Sequence, residues 1–191
     1  EERDRQQSIA LSVASFDWND HRINLIDTPG YADFRGEALL GLAAADLAVF
    51  VIDGVAGVQS QDIVLWRHAT ELGIPRLVFV NKLDRERSSF DRILAQVREV
   101  FGSHADPTER PIGEESSFHG IADLLTHRAF VYDSGHAEPV DVPPDFPGAD
   151  TINKTTENRL FFDYNAVVSA PKVLEIAPTV VVGASYEEER F

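Results

Sequence analysis

Asp27-Thr28-Pro29-Gly30 directly follows a short apolar stretch at residues 22–26. An aspartate at the C-terminal end of a strand can reach a divalent cation such as Mg2+ in the crevice of an open α/β sheet. Gly30, with no Cβ, lets the backbone come close to a phosphate and donate its N–H. Thr28 and Pro29 link the two on that phosphate side. Asn81-Lys82-Leu83-Asp84 stands in the same relation to a second apolar stretch, residues 76–80. Its chemistry suits guanine. The Asp84 carboxylate can accept from the ring N–H and the exocyclic amine together, a pair adenine does not offer. The Asn81 amide can hold the loop and contact the base, and the Lys82 stem can lie across the ring. Every basic residue before Lys154 is Arg except Lys82.

Each tetrapeptide has a plain alternative reading, the first as a tight turn and the second as a polar strand-end loop. Their combination is more specific. They lie 81 − 27 = 54 residues apart, room for two βα crossovers, which places both loops on one edge of one sheet.

The elements that must position them follow from the hydrophobic pattern. Residues 8–16 read as a strand, 17–20 as a turn and 22–26 as a second strand, together a hairpin. Residues 36–45 have helical composition. Residues 47–52 are continuously apolar, the pattern of a strand buried on both faces of a mainly parallel sheet. A helix is expected at 60–72, with Gly73 as its stop and Pro75 beyond. A strand is expected at 76–80 and a helix at 88–101, closed by Gly102. Strands alternating with helices at this pitch predict an α/β fold with crossover connections. Beyond 102 the texture changes. Residues 107–115 read as a loop, 121–125 as a short helix, 128–132 as a strand and the proline-bearing 140–148 as a linker. Residues 160–169 and 178–182 are strand candidates.

Composition limits the function. The chain has 191 residues, 17 Lys and Arg against 32 Asp and Glu, and a net charge of −15. So acidic a chain is no general nucleic-acid coat and no binder of anionic membranes, and direct DNA binding is not expected. It contains no Cys, which excludes disulfides, thiol catalysis and thiolate metal sites. No apolar run approaches the roughly 20 residues of a membrane span, and the charged start is no signal peptide. A cytoplasmic protein is the expectation.

With these residues assembled, the chain resembles the GTP-binding domain of the translational GTPases, closest to elongation factor G. The resemblance rests on Asp27-Thr28-Pro29-Gly30-Tyr31-Ala32-Asp33-Phe34, on Asp53-Gly54-Val55-Ala56-Gly57-Val58-Gln59 and on Phe79-Val80-Asn81-Lys82-Leu83-Asp84-Arg85. It extends to Pro111-Ile112-Gly113-Glu114 and Phe118-His119-Gly120-Ile121-Ala122-Asp123-Leu124-Leu125, similar to an insertion that elongation factor G carries after its base-reading box. It covers about residues 1–145. The family implies a P-loop GTPase fold, a mainly parallel sheet with helices on both faces. It also implies GTP or GDP and Mg2+ as ligands, and the ribosome as partner of the whole protein. Carried over residue by residue, Asp27 acts on Mg2+ through water and the Gly30 N–H senses the γ-phosphate. Asn81, Lys82 and Asp84 read guanine. Ser8 sits where the family's Mg2+-binding switch threonine stands, preceded here by Gln6-Gln7 rather than Gly-Ile.

Three departures accompany the resemblance. No Gly-x-x-x-x-Gly-Lys-Ser/Thr occurs, and there is no Met, so a chain truncated before its phosphate loop is the expectation. A natural remnant that acts as a non-catalytic interaction module is the alternative. Tyr31 occupies the place of the histidine that positions water in elongation factor G, and a phenol of pKa about 10 is no base near neutral pH. The final Ser-Ala box has a candidate in Val167-Val168-Ser169-Ala170. The expected division is a partial GTPase core at 1–102, an insertion at 103–145 and an unassigned continuation at 146–191.

Overall fold

The computed structural model describes residues 8–18, 20–103, 105–124, 128–133, 136–142, 146 and 179–183. The chain divides into two compact units, Glu1–Asn81 with Ile176–Phe191, and Lys82–Glu175.

In the first unit, β1 (Ser12–Trp18) and β2 (His21–Thr28) form an antiparallel hairpin with Trp18 opposite His21. The hairpin is the expected one, but its first strand starts at Ser12 and runs on through Trp18. Asp17 and Trp18 are ladder residues, and the reversal is confined to the two positions before His21. Asp20 takes φ 61° there, a left-handed conformation that Asp tolerates better than most residues. A 3₁₀ turn at Ala32–Phe34 leads into α1 (Arg35–Ala43). Then come β3 (Leu47–Asp53), α2 (Ser60–Glu71) and β4 (Arg76–Asn81). A last strand, β9 (Thr179–Gly183), completes a five-stranded sheet in the order β1-β2-β9-β3-β4. β2, β9, β3 and β4 run parallel, as apolar strands joined by helical crossovers require.

The strand at 47–52 is not buried on both faces. Ala48, Phe50 and Ile52 are buried while Leu47, Val49 and Val51 are half-buried. Full cover falls on one face, where Phe50 meets Trp66 of α2 edge-to-face at 5.0 Å between ring centroids. Ile26, Ala38, Leu42 and Ala69 complete this core. α2 begins with a capping box in which the Gln59 N–H donates to Asp62 Oδ2 at 2.7 Å. It ends where Gly73 takes φ 70°, which glycine adopts without steric cost.

The second unit contains α3 (Phe90–Phe101), capped by the Ser89 hydroxyl and burying Ile93 and Val97. Next come β5 (Glu109–Ile112), β6 (Gly120–Asp123), β7 (Arg128–Asp133) and β8 (His136–Asp141), an antiparallel sheet in sequence order. The structure corrects three expectations here. The loop at 107–115 contains β5. The helix at 121–125 is instead β6, with alternate residues Gly120 and Ala122 buried. Five residues cannot repay helix nucleation, whereas β6 gains ladders on both sides. Gly120 is needed there, since a Cβ would lie 2.5 Å from the Phe130 carbonyl oxygen. The linker at 140–148 gives up its first two residues to β8. Pro139 fits β8 because that strand is an edge. The strand candidate at 160–169 and the Val167–Ala170 box lie outside the described residues.

Candidate functional site

Parallel strands share an edge where their C-terminal ends emerge, and each singled-out loop of the first unit leaves from that edge. Thr28, the last residue of β2, is level with Gly183 of β9, and Gly183 is level with Phe50 of β3. Asp53 ends β3 opposite Asn81, which ends β4. Asp27 is half-buried beside Ser12 and Val182 in the ladders. Thr28 is buried, Pro29 is fully buried and Gly30 is exposed. The turn therefore rises out of the core at the residue whose backbone the sequence assigns to phosphate.

α1 comes close to this turn because Gly41 has no side chain. A Cβ there would lie 2.7 Å from Thr28 Cγ2 and 3.5 Å from Ile26 Cγ2. α1 also anchors the segment that carries Ser8, through the Leu11 N–H donating to Glu37 Oε2 at 3.0 Å. Ser8 itself is half-buried. The Tyr31 carbonyl accepts from the Phe34 N–H at 3.0 Å, starting the 3₁₀ turn. The Tyr31 side chain is 43% exposed.

Thr28, Pro29, Gly30 and Tyr31 line one wall of a cavity of about 430 Å3, with Asp53 and the first turn of α2 on another. Sequence reasoning did not single out that helical turn. Arg35 Nε donates to Gln61 Oε1 at 3.1 Å, tying the start of α1 to the start of α2. The other terminal atom of Gln61, Nε2, is buried without a hydrogen-bond partner among the described residues. A buried orphan donor costs about 1–3 kcal/mol, so an acceptor placed against it would bind with that cost relieved. Burial pushes the Asp62 carboxyl up from its ordinary value, opposed by the hydrogen bond from the Gln59 N–H. No periodic signal marks Gln61, since its partner Arg35 stands on another helix.

Asp53 builds the neighbouring loop. Its Oδ1 accepts from the N–H groups of Val55 and Ala56 at 2.7 and 2.9 Å, and its carbonyl accepts from Gly57 at 2.8 Å. Asn81 is half-buried and its carbonyl accepts the Gly54 N–H at 2.8 Å. The Asn-Lys-x-Asp box crosses the join between the units, with Lys82, Leu83 and Asp84 opening the second. Lys82 takes φ 59°. The Asp84 carboxylate is 65% exposed and lies 3.9 Å from Arg85 Nε, a loose surface pair.

The Asp27–Gly30 turn, the Asp53–Gly57 turn and Asn81 thus share one sheet edge. The segment that carries Ser8 is tied to α1 through Leu11.

A family model described as the elongation factor Tu GTP binding domain matches residues 1–185. An elongation factor G from Gluconobacter oxydans (strain 621H) is 44% identical over 135 residues, 71% of this chain and 19% of that protein. A mitochondrial ribosome-releasing factor 2 from Culex quinquefasciatus is 41% identical over 133 residues, 70% of this chain and 18% of that one. A crystal structure from Thermus thermophilus superposes with a TM-score of 0.72 at 26% identity, over 96% of this chain and 30% of that chain. The chain spans about a fifth of the length of these curated relatives.

Proposed function

The chain belongs to the elongation factor Tu GTP binding domain family of translational GTPases, and we propose that it forms the base-reading and switch part of an elongation factor G-like protein that couples GTP hydrolysis to ribosome function. In this reading Asp84 accepts from the two guanine donors, Lys82 covers the ring and Asn81 holds the loop. Thr28, Pro29 and Gly30 face the phosphates, the Gly30 N–H donating to the terminal one. Tyr31 stands beside the reacting phosphate as a hydrogen-bonding group. Asp27 at the edge, acting through water, and the Ser8 hydroxyl are hard oxygen donors of the kind that suits Mg2+. When bound, that ion supplies charge neutralisation between phosphate oxygens. Residues 103–145 form the elongation-factor-G-type insertion of this reading.

One observation carries the reading. Asp27–Gly30 and Asn81 leave the same edge of one parallel sheet, the crevice where open α/β sheets bind nucleotides. Guanine preference tests it. Amide NMR titrations of the chain with GDP and ADP should show residues 81–85 moving with GDP at concentrations where ADP leaves them still. Equal responses to the two nucleotides would overturn the reading.

A further inference from the structure

Glu115 lies in the second unit, thirty-one residues after Asp84 by number, and it grips the base-reading loop from two sides. Its N–H donates to the Leu83 carbonyl at 3.1 Å. Its side-chain Oε1 accepts from the Arg87 N–H at 2.8 Å. The same Leu83 carbonyl also accepts from the Ser88 hydroxyl at 2.7 Å, and Ser88 is 4% exposed. Leu83 immediately precedes Asp84, so these bonds fix the peptide from which the carboxylate projects.

The backbone shows how strongly this arrangement is held. Among the described residues, four other than glycine have positive φ, namely Asp20, Lys82, Arg87 and Glu115. Three of them belong to this loop and its brace. Glu115, at φ 50°, sits in a region that non-glycine residues rarely enter and leave at once unless their surroundings hold them. The turn around it is built to deliver it. Gly113 takes φ 82°, and a Cβ there would lie 2.0 Å from the Ser117 carbonyl oxygen. The Glu114 N–H donates to the Ser117 hydroxyl at 3.0 Å, which in turn donates to the Glu114 carbonyl at 2.6 Å.

We propose that Glu115 is a positioning residue for base recognition, its carboxylate and N–H clamping residues 83–87 so that Asp84 meets the purine edge in one orientation. The ligand class is a purine nucleotide with a donor beside the ring N–H. The proposal rests on the guanine reading above and adds a residue that touches no nucleotide. A carboxylate held in the direction that meets both donors keeps its second bond, to the exocyclic amine, whereas one free to turn keeps the bond to the ring N–H and loses part of the second.

The test uses the whole chain and compares GDP with IDP, which lacks only the exocyclic amine. Dissociation constants come from amide NMR titrations, suited to millimolar binding. Glu115→Gly deletes the carboxylate while accepting the positive φ, and Glu115→Gln keeps an acceptor oxygen at the same reach. The unaltered chain should prefer GDP by about tenfold, the worth of one hydrogen bond to a carboxylate. In Glu115→Gly the preference should fall to about threefold or less, and in Glu115→Gln it should return. A merely structural role would weaken both nucleotides equally and leave the ratio unchanged, and that result overturns the proposal. Absence of any GDP preference in the unaltered chain would overturn the guanine reading itself, and the role of Glu115 with it.

Discussion

The Asn81 carbonyl accepts the Gly54 N–H at 2.8 Å, beside the ladder pair Asp53 and Asn81. The first residue of the Asn-Lys-x-Asp box is thereby bonded to the turn that ends the neighbouring strand. Asp53 holds that turn through Val55 and Ala56. The box thus starts from a fixed point, although Asp84 itself is largely exposed.

From that fixed point the base preference follows. Asp84→Asn replaces an acceptor pair by one acceptor and one donor. Xanthine presents a carbonyl where guanine has its amine, so the amide can pair with it. The variant should lose affinity for GDP by about tenfold and gain it for the xanthine nucleotide, corresponding to about one hydrogen bond. Competition between the two nucleotides measures this. An unchanged order of preference would mean that Asp84 does not read the base.

Gly41 tests how α1 is held on the end of β2. A Cβ would approach Thr28 Cγ2 to 2.7 Å, closer than real packing allows. Alanine brings about 1 kcal/mol of helix propensity, set against about 1–3 kcal/mol for overpacking. Gly41→Ala should therefore destabilise the chain by up to about 2 kcal/mol, and the amides of residues 27–31 should shift. Denaturant unfolding gives the first quantity. A stabilised variant with those amides unmoved would show that the helix and the strand end are not in close register.

Much of the first unit was legible because its signals are local. Asp27-Thr28-Pro29-Gly30 and Asn81-Lys82-Leu83-Asp84 lie at strand ends that apolar runs mark out, and Gly73 marks the end of α2. The second unit was harder to read. β6 is four residues long, too short to show a period, and its identity comes from Glu109–Ile112 and Arg128–Asp133 on either side. Glu115 and Gln61 were missed for a related reason. Each acts on a residue distant in sequence, Leu83 and Arg35, and no spacing along the chain announces such a pair.

The β5–β6 ladder sets Glu109 directly opposite Asp123. Burial, then the Asp123 charge, pushes the Glu109 carboxyl up from its ordinary value. A folded-state value raised above the unfolded one means that the protonated form is favoured by folding. The stability from this group is therefore fully present below the unfolded pKa and lost as pH rises through the folded one. Glu109→Gln removes the ionisation and should raise stability at neutral pH by a few tenths of a kcal/mol, the site being partly exposed and screened. It should also remove the fall in stability that accompanies Glu109 ionisation, so that the gain over the unaltered chain grows from acid to neutral pH. A loss of stability at neutral pH would contradict the assigned cause.

On the proposed reading, Tyr31 bears on the rate of hydrolysis rather than on binding. It lines the cavity beside Gly30 and Gln61. In a protein that carries this chain together with a phosphate-binding loop, Tyr31→His should raise ribosome-stimulated GTP cleavage by up to about a hundredfold. Nucleotide affinity should stay the same. Single-turnover cleavage with ribosomes reads the effect, and equal rates would place Tyr31 away from the attacking water.

The 191-residue chain alone should bind GTP only weakly. Triphosphate affinity comes mostly from a loop of backbone N–H groups, a lysine and Mg2+ gathered around charged oxygens, and the sequence holds no Gly-x-x-x-x-Gly-Lys-Ser/Thr. β9, between β2 and β3, is formed by Thr179–Gly183, a segment without lysine. Base contacts remain, each contributing about 0.5–1.5 kcal/mol and up to about 3 where a carboxylate accepts. Against them stands an association cost of several kcal/mol. A net charge of −15 adds repulsion toward a tetra-anionic ligand. A millimolar dissociation constant is the expected outcome, about −4 kcal/mol, and replacing GTP by guanosine should change it by less than about tenfold. Calorimetry or amide shifts with each ligand decide the matter. A micromolar constant for GTP with a much weaker one for guanosine would mean that other residues of this chain supply a phosphate site.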